Sequence, residues 1–142
     1  MAQDPRLTLA EAVTIIEAAM AEGKAKGCKP LTVAVLDAGG HMLAMHRPEV
    51  ASTLRPQIAA GKASGALSLG VASRKIGEMA ADRPSFIASL GALAPVIPVA
   101  GGILVERDGV LIGAVGITGD TSDNDEACAM AGVAAAGLQV RG

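Results

Sequence analysis

The sequence predicts an α+β fold in which helices pack on an antiparallel sheet. Two turn signals predict two β-hairpins, because Ala38-Gly39-Gly40 and Asp108-Gly109 each separate two apolar, β-branched runs. Helical patterns lie before, between and after these hairpins. The predicted order of elements is therefore α-ββ-αα(α)-ββ-α, within a single domain over residues 1–142.

The composition excludes several classes of function. The chain of 142 residues has a net charge of −2 and a single aromatic residue, Phe86, so it offers neither a basic surface nor stacking rings to a nucleic acid. Cys28 and Cys128 match no disulfide framework or metal-binding spacing, and no metal site is predicted. The chain has no leader pattern and no apolar run of about 18 residues. We expect a cytoplasmic protein with no membrane or nucleic-acid partner.

Local signals predict the first helix. Thr8 and Glu11 have the spacing of a capping box, so the helix is expected to begin there and to end at Gly27. An apolar stripe predicts the buried face of this helix: Leu9, Ala12, Val13, Ile16, Ala19 and Met20.

The first predicted hairpin joins residues 31–37 to residues 41–47. In its second strand, alternation separates two sets of side chains: His41, Leu43, Met45 and Arg47 on one face, and Met42, Ala44 and His46 on the other. The two imidazoles are therefore not expected to bind one metal ion within a subunit.

Residues 54–70 predict a helix that carries cations among very small residues. Pro56 fits a first helical turn, and Ser52 or Thr53 can cap it. Helical spacing places two cations and two alanines on one stripe: Arg55, Ala59, Lys62 and Ala66. The flanking residues are small enough for another backbone or a ligand to approach closely: Ala60, Gly61, Ser64, Gly65 and Ser68.

The second half of the chain repeats the mixture of helix and hairpin. Residues 72–81 predict a short helix, and Asp82 predicts the cap of another that runs toward Leu93. A hairpin then leads into an acidic loop, residues 119–126, where Ser122 or Asp123 is expected to cap a final helix that reaches about Val140.

Five stretches resemble the GlcG/HbpS family, which includes the C-terminal domain of PduO-type proteins. They are LTLAEA, VAVLDAGGHMLAM, IAAGKASGAL, PVAGGILVERDGVLIGAVGITG and DNDEACAMAGVAA, and they follow the order of the family over nearly the whole chain. The resemblance implies a profilin-like or PAS-like fold, homo-oligomers of two or more copies, and binding of haem or another tetrapyrrole. It also implies, for some members, a place in catabolic operons.

The chain departs from the family pattern after the second strand. Many relatives continue with Arg-Met-Asp-Gly-Ala, whereas this chain has Arg47-Pro48-Glu49-Val50-Ala51. This departure indicates a ligand site that differs from that of the haem-binding members.

Cations provide the first candidates for a site. Guanidinium groups bind carboxylates bidentately, and a lysine among small residues can be desolvated, so a small anionic ligand is predicted. The candidate cations are Arg55, Lys62, Arg74 and Arg83. Lys62 is the strongest of these. The alternative is that these cations form ordinary ion pairs with Glu49, Glu78 or the acidic loop.

Acids and imidazoles provide the remaining candidates. Asp120 or Glu126 can pair with Lys62 or Arg55 as the acid and base of a proton-transfer site, or the acidic loop can serve only as a helix cap. His41 and His46 are the imidazoles available as axial ligands of haem, and each can equally be a surface residue of the hairpin.

Three functions remain open from the sequence. The first is a small ligand-binding protein for which the resemblance implies haem. The second is a cofactor-independent enzyme, such as a tautomerase, isomerase or lyase, that acts on a small carboxylate. The third is a scaffold or regulatory module without chemistry.

Overall fold

The computed structural model describes residues 4–141 and contains five helices and five strands in that range. The helices are α1 (Leu9–Ala25), α2 (Arg55–Leu69), α3 (Ser73–Asp82), α4 (Pro84–Leu90) and α5 (Ser122–Ala135). The strands are β1 (Thr32–Asp37), β2 (Met42–His46), β3 (Gly102–Arg107), β4 (Val110–Thr118) and β5 (Gln139–Arg141). The predicted α+β class and both hairpins are confirmed.

All five strands form one antiparallel sheet in the order β2-β1-β4-β3-β5. The two hairpins lie side by side because β1 pairs with β4. At the second hairpin, Asp108 and Gly109 both have positive φ angles, 51° and 78°, as a two-residue type I′ turn requires.

Helices cover both faces of the sheet, which gives three layers. On one face, α1 and α5 pack on Val33, Val35 and other buried aliphatic side chains. On the other face, α2 packs with Ala63 and Ala66 on Leu36 and Leu104. The fully buried core is therefore divided by the sheet into two unequal parts, of which the α1/α5 side is the larger.

Glycines let α2 lie very close to the sheet. A Cβ atom at Gly116 would overlap the carbonyl oxygen of Ala59, and one at Gly102 would overlap that of Lys62. On the outer side of α2, a Cβ at Gly61 would lie 2.7 Å from Ile97 Cγ1. The predicted close approach to this helix is confirmed, and the approaching groups are the sheet backbone and residues 95–97 of the chain itself.

The predicted start of α2 near residue 54 is confirmed, but the predicted capping residues of α2 and α5 are wrong. The N-cap of α2 is Leu54, which makes no side-chain cap, because the Ser52 hydroxyl accepts from Arg55 Nε instead. The N-cap of α5 is Thr121, whose hydroxyl accepts from Asn124 N at 3.2 Å, rather than Ser122 or Asp123.

Both ends of α4 and the C-terminal end of α5 also differ from the prediction. Helix α4 starts after Arg83, without a side-chain cap from Asp82, and stops at Leu90. Helix α5 ends at Ala135 rather than near Val140, because Gly137 turns the chain with a φ of 74°. The residues beyond this turn form β5, which pairs with β3 and was not predicted.

The predicted capping box of α1 is confirmed, whereas part of its predicted buried face is wrong. Thr8 Oγ1 accepts from Glu11 N at 3.1 Å, and Glu11 Oε1 accepts from Thr8 N at 3.0 Å. Leu9 and Val13 are 58% and 41% exposed, and Ile15 is buried in their place.

A bulge changes the alternation predicted for β2. Val35 pairs with Ala44 and Leu36 pairs with Met42, so Leu43 is an extra residue in the ladder. Leu43 and Ala44 consequently both pack against the α1/α5 core, although the sequence predicted opposite faces for them. His41 lies in the turn before the strand.

Candidate functional site

Lys62 is a buried cation that crosses from one layer of the fold to another. Its side chain is 3% exposed, and its Nζ donates to the carbonyl oxygen of Ile117 at 2.9 Å and to Asp125 Oδ2 at 3.4 Å. Gly101 makes room for this path, because a Cβ there would lie 2.8 Å from the amine. The lysine of α2 is therefore tied to α5, which packs on the opposite face of the sheet.

Asp125 balances the charge of this lysine. Its Oδ1 accepts from Asp120 N at 3.0 Å, so both carboxylate oxygens have partners. Burial raises the pKa of the Asp125 carboxyl and lowers the pKa of the Lys62 ammonium, while their mutual attraction favours the charged form of each. The pair is a cross-link inside the protein, and neither group is exposed to a ligand.

Arg55 lies two helical turns before Lys62 and is only partly buried. Its Nη1 donates to Thr118 Oγ1 at 2.7 Å, and its Nε donates to Ser52 Oγ at 3.3 Å. Within residues 4–141 it forms no ion pair with an acidic side chain. Two neutral hydroxyl groups thus hold this guanidinium in place.

A small cleft opens beside Arg55. It has a volume of about 260 Å³ and is lined by Lys29, Pro30, Val50, Ala51, Ser52, Arg55 and Gly119. Thr118, which binds Arg55, is the cross-strand partner of Thr32, whose hydroxyl is buried without a hydrogen-bond partner among the described residues. We name this space the Arg55 cleft.

The acidic loop is occupied by other contacts. Asp120 accepts from Asn124 Nδ2 at 2.8 Å and from Lys29 N at 2.9 Å, and these bonds lower the pKa of Asp120 to about 2. Glu126 pairs with Arg74, whose Nε lies 3.1 Å from Glu126 Oε1. The structure therefore brings Lys62 together with Asp125, and not with Asp120 or Glu126.

The four candidate cations do not converge on one site. Arg74 is bound to Glu126 and to Asp123, which raises the pKa of its guanidinium and matches the ion-pair alternative. Arg83 stacks over Phe86, with its guanidinium carbon 4.2 Å from the ring centroid. Of the four, Arg55 lines a cleft and forms no ion pair with an acidic side chain of the described residues.

The two histidines lie in different surroundings. His41 is exposed in the β1–β2 turn, with its Nδ1 3.2 Å from Asp37 Oδ1. The backbone N–H groups of His41 and Gly39 bind that carboxylate and lower the pKa of Asp37. His46 is half-buried at the end of β2 and faces a cleft of about 300 Å³.

The His46 cleft lies between the C-terminal half of α1 and the start of β1. Its lining consists of Met20, Gly23, Lys24, Cys28, Lys29, Pro30, Leu31, His46 and Pro48. Sequence reasoning did not find this cleft, because its walls come from a helix, a loop and a strand. The one signal in the sequence is that Met20 and His46 lie on two amphipathic elements, α1 and β2, that pack on the same core.

Two further observations on the described residues concern metal binding and membrane crossing. Residues 4–141 contain no group of three His, Cys, Asp or Glu side chains placed to hold a metal ion. None of the helices in this range combines the length and the apolar character that crossing a bilayer requires.

Comparison with solved structures confirms the fold that the resemblance implied. PduOC, in a crystal structure of its complex with haem, superimposes with a TM-score of 0.86 at 23% identity, covering 96% of this chain and 99% of PduOC. HbpS superimposes with a TM-score of 0.80 at 28% identity, covering 94% and 92%. Protein ORFY of Klebsiella pneumoniae gives a TM-score of 0.84 at 25% identity, covering 96% and 94%.

No curated protein matches the sequence. The model of one protein family, described as "Haem degrading protein HbpS-like", matches residues 7–134. This match extends from the residue before the α1 capping box almost to the end of α5, and it includes both hairpins and both clefts. The chain therefore belongs to the HbpS-like family.

Proposed function

We propose that this protein binds haem or a related tetrapyrrole in the His46 cleft. The observation that carries the proposal is the composition of this cleft, which presents one imidazole among mostly apolar walls with two lysines, Lys24 and Lys29, in its lining. Membership of the HbpS-like family and the likeness to a haem complex of PduOC support the same ligand class.

Each part of the cleft matches one part of a haem. Met20, Pro30 and Leu31 offer an apolar wall to the macrocycle. Imidazole is a common ligand of haem iron, and His46 would supply one. The ammonium groups of Lys24 and Lys29 can pair with the two propionates. When bound, the haem would supply an iron centre next to His46, and the protein residues would orient it and shield one face.

Cys28 does not compete strongly with His46 for the iron. Burial is the main cause that raises the pKa of the Cys28 thiol, and the nearby Asp120 carboxylate adds to the effect. A thiol is a much weaker metal ligand than a thiolate. We therefore expect imidazole coordination at neutral pH.

The size of the cleft limits how the ligand sits. A volume of about 300 Å³ lies at the lower end of the range for ligand pockets, about 300–1,000 Å³. The cleft is expected to take one edge of a tetrapyrrole, with the remainder exposed or covered by a second copy. Pro48 lies in this lining, so the departure of this chain from the Arg-Met-Asp-Gly-Ala pattern falls at the ligand itself.

Haemin titration followed by absorbance tests the proposal. We expect the wild-type protein to develop a shifted Soret band that saturates, and His46→Ala to lose it while it retains the wild-type circular dichroism spectrum. His41→Ala is the matched control, since it removes an exposed imidazole from the other end of the same hairpin. Saturable binding that survives in His46→Ala would contradict the site, and an absence of saturable binding in wild type would contradict the function.

A further inference from the structure

Arg55 retains unused hydrogen-bonding capacity. A guanidinium carries five N–H donors in a planar fork. Two of them bind Ser52 and Thr118, which leaves three without a partner in residues 4–141. A partly buried cation is ordinarily paired with a carboxylate, because desolvation of an unpaired charge is costly. The free N–H donors of this partly exposed guanidinium are therefore available to an anion that enters from solvent.

The Arg55 cleft has the charge that such an anion needs. Its lining contains two cations, Lys29 and Arg55, and no acidic side chain. Two acids are adjacent in sequence to this lining, Asp120 and Glu49. Asp120 already accepts from Lys29 N and from Asn124, and Glu49 is exposed and does not line the cleft. The cleft of about 260 Å³ is large enough for a small molecule or for one arm of a larger one.

The start of helix α2 lies at the same place. Its first turn contains no acidic residue and no side-chain cap, so no carboxylate neutralises the partial positive charge of this helix end, although Arg55 N donates to Ser52 O. Thr32, the cross-strand partner of Thr118, is 99% buried and its hydroxyl makes no hydrogen bond among the described residues, but Thr32 does not line the cleft.

We propose that the Arg55 cleft binds a carboxylate group, with Arg55 as the bidentate donor and Lys29 as a second cation. The carboxylate can belong to a small free acid or to a propionate of the tetrapyrrole, because Lys29 and Pro30 line both clefts. Only the second source rests on the proposed function. Lys62 takes no direct part, since its amine is buried against Ile117 and Asp125.

The first arm of the experiment tests a free acid. Thermal melting of the wild-type protein is measured against succinate and against neutral succinamide at equal ionic strength. A free-acid ligand predicts that succinate raises the Tm, that succinamide does not, and that Arg55→Gln weakens succinate binding by at least about tenfold, as the loss of charge-assisted hydrogen bonds implies. Arg83→Gln is the control, since it removes the same charge from the α3–α4 junction.

The second arm tests a propionate. Haemin and haemin dimethyl ester, in which both propionates are esterified, are titrated into wild type, Arg55→Gln and Arg83→Gln. A propionate ligand predicts that wild type binds haemin at least about tenfold more tightly than the ester, and that Arg55→Gln removes most of this difference whereas Arg83→Gln retains it. If Arg55→Gln melts below the assay temperature, Arg55→Lys repeats the comparison, because it keeps the charge and removes the bidentate fork, whereas Lys29→Gln would also change the His46 cleft.

The outcomes separate this inference from the haem proposal. An effect of Arg55→Gln in either arm supports a carboxylate site and identifies its source. If the protein binds no haemin, the haem proposal fails, and the succinate arm alone then tests the carboxylate site. If neither succinate binding nor propionate binding depends on Arg55, the carboxylate site is overturned, whether or not haemin binds.

Discussion

Lys62 Nζ and Asp125 Oδ2 lie 3.4 Å apart with both side chains almost fully buried, and together they join the helices on opposite faces of the sheet. Each charge is tolerated in the interior because the other is present and because Ile117 O and Asp120 N complete the hydrogen bonds. The pair therefore links α2 directly to α5 in the interior, while the ion pairs of Arg74 with Asp123 and Glu126 link α3 to α5 nearer the surface.

Removal of one member of this pair should be costly. We expect Lys62→Met to lower the free energy of unfolding by about 3–5 kcal/mol, because Asp125 is left as an unpaired buried charge. The double variant Lys62→Met/Asp125→Asn should recover part of that loss, since asparagine keeps an acceptor for Asp120 N. Urea unfolding measures both. A loss below about 1 kcal/mol in the single variant would show that the pair is unimportant for stability.

The ion pair between Arg107 and Glu11 should make the free energy of unfolding depend on pH in the acid range. Arg107 binds Glu11 at 2.7 and 2.9 Å and is the main cause that lowers the pKa of Glu11 from 4.5 to about 2. The depressed pKa means that this contribution is fully present above about pH 4.5 and is lost as the pH falls toward 2.

Glu11→Gln isolates this effect, because glutamine preserves the capping box. We expect the variant to be less stable than wild type by about 1–2 kcal/mol at pH 7, a value reduced for solvent screening, and the difference to shrink below pH 4. Urea unfolding at a series of pH values measures the difference. A gap of constant size from pH 7 to pH 2.5 would contradict the assignment.

Gly116 should tolerate no side chain. Because its Cβ would overlap the Ala59 carbonyl oxygen, and backbone cannot move aside as a flexible side chain does, Gly116→Ala is expected to cost at least about 3 kcal/mol or to prevent folding. Gly91→Ala is the matched control: its nearest neighbour, Ala88 O, is at an ordinary 3.6 Å. Thermal melting compares the two, and equal Tm values would rule out the close contact between α2 and β4.

Thr121 rather than Ser122 should cap α5. The Thr121 hydroxyl accepts from Asn124 N, so Thr121→Ala is expected to destabilise the protein by about 1 kcal/mol. Ser122→Ala should change stability by less than about 0.5 kcal/mol, since that residue occupies the first turn without a cap bond. Chemical denaturation measures the stability loss of both variants. A larger loss in Ser122→Ala than in Thr121→Ala would show that Ser122, the cap expected from sequence, is the true cap.

Features encoded within a few residues could be predicted from the sequence. The capping box of α1, the Asp108-Gly109 turn and the start of α2 at Arg55, just before Pro56, each depend on neighbours in the chain. Strand β5 could not be predicted, because three residues carry no period of their own and form a strand only by pairing with β3, which lies far away in the sequence.

The candidate site likewise has some features that the sequence predicts and others that it does not. The stripe that joins Arg55 to Lys62 follows from helical spacing and is found on the sheet-facing side of α2. The partner of Lys62 could not be chosen among several acids within residues 120–126, because that choice depends on where β4 delivers the chain. The clefts combine residues from distant elements, so their composition is available only from the fold.

The burial of Lys62 distinguishes it chemically from the other lysines. Lys24, Lys26, Lys29 and Lys75 are exposed, whereas Lys62 is sealed between two layers. An amine-specific acylating reagent should therefore modify four lysines at once and the fifth only when α2 and α5 separate. The rate at which this one side chain is acylated should therefore report how often the protein opens.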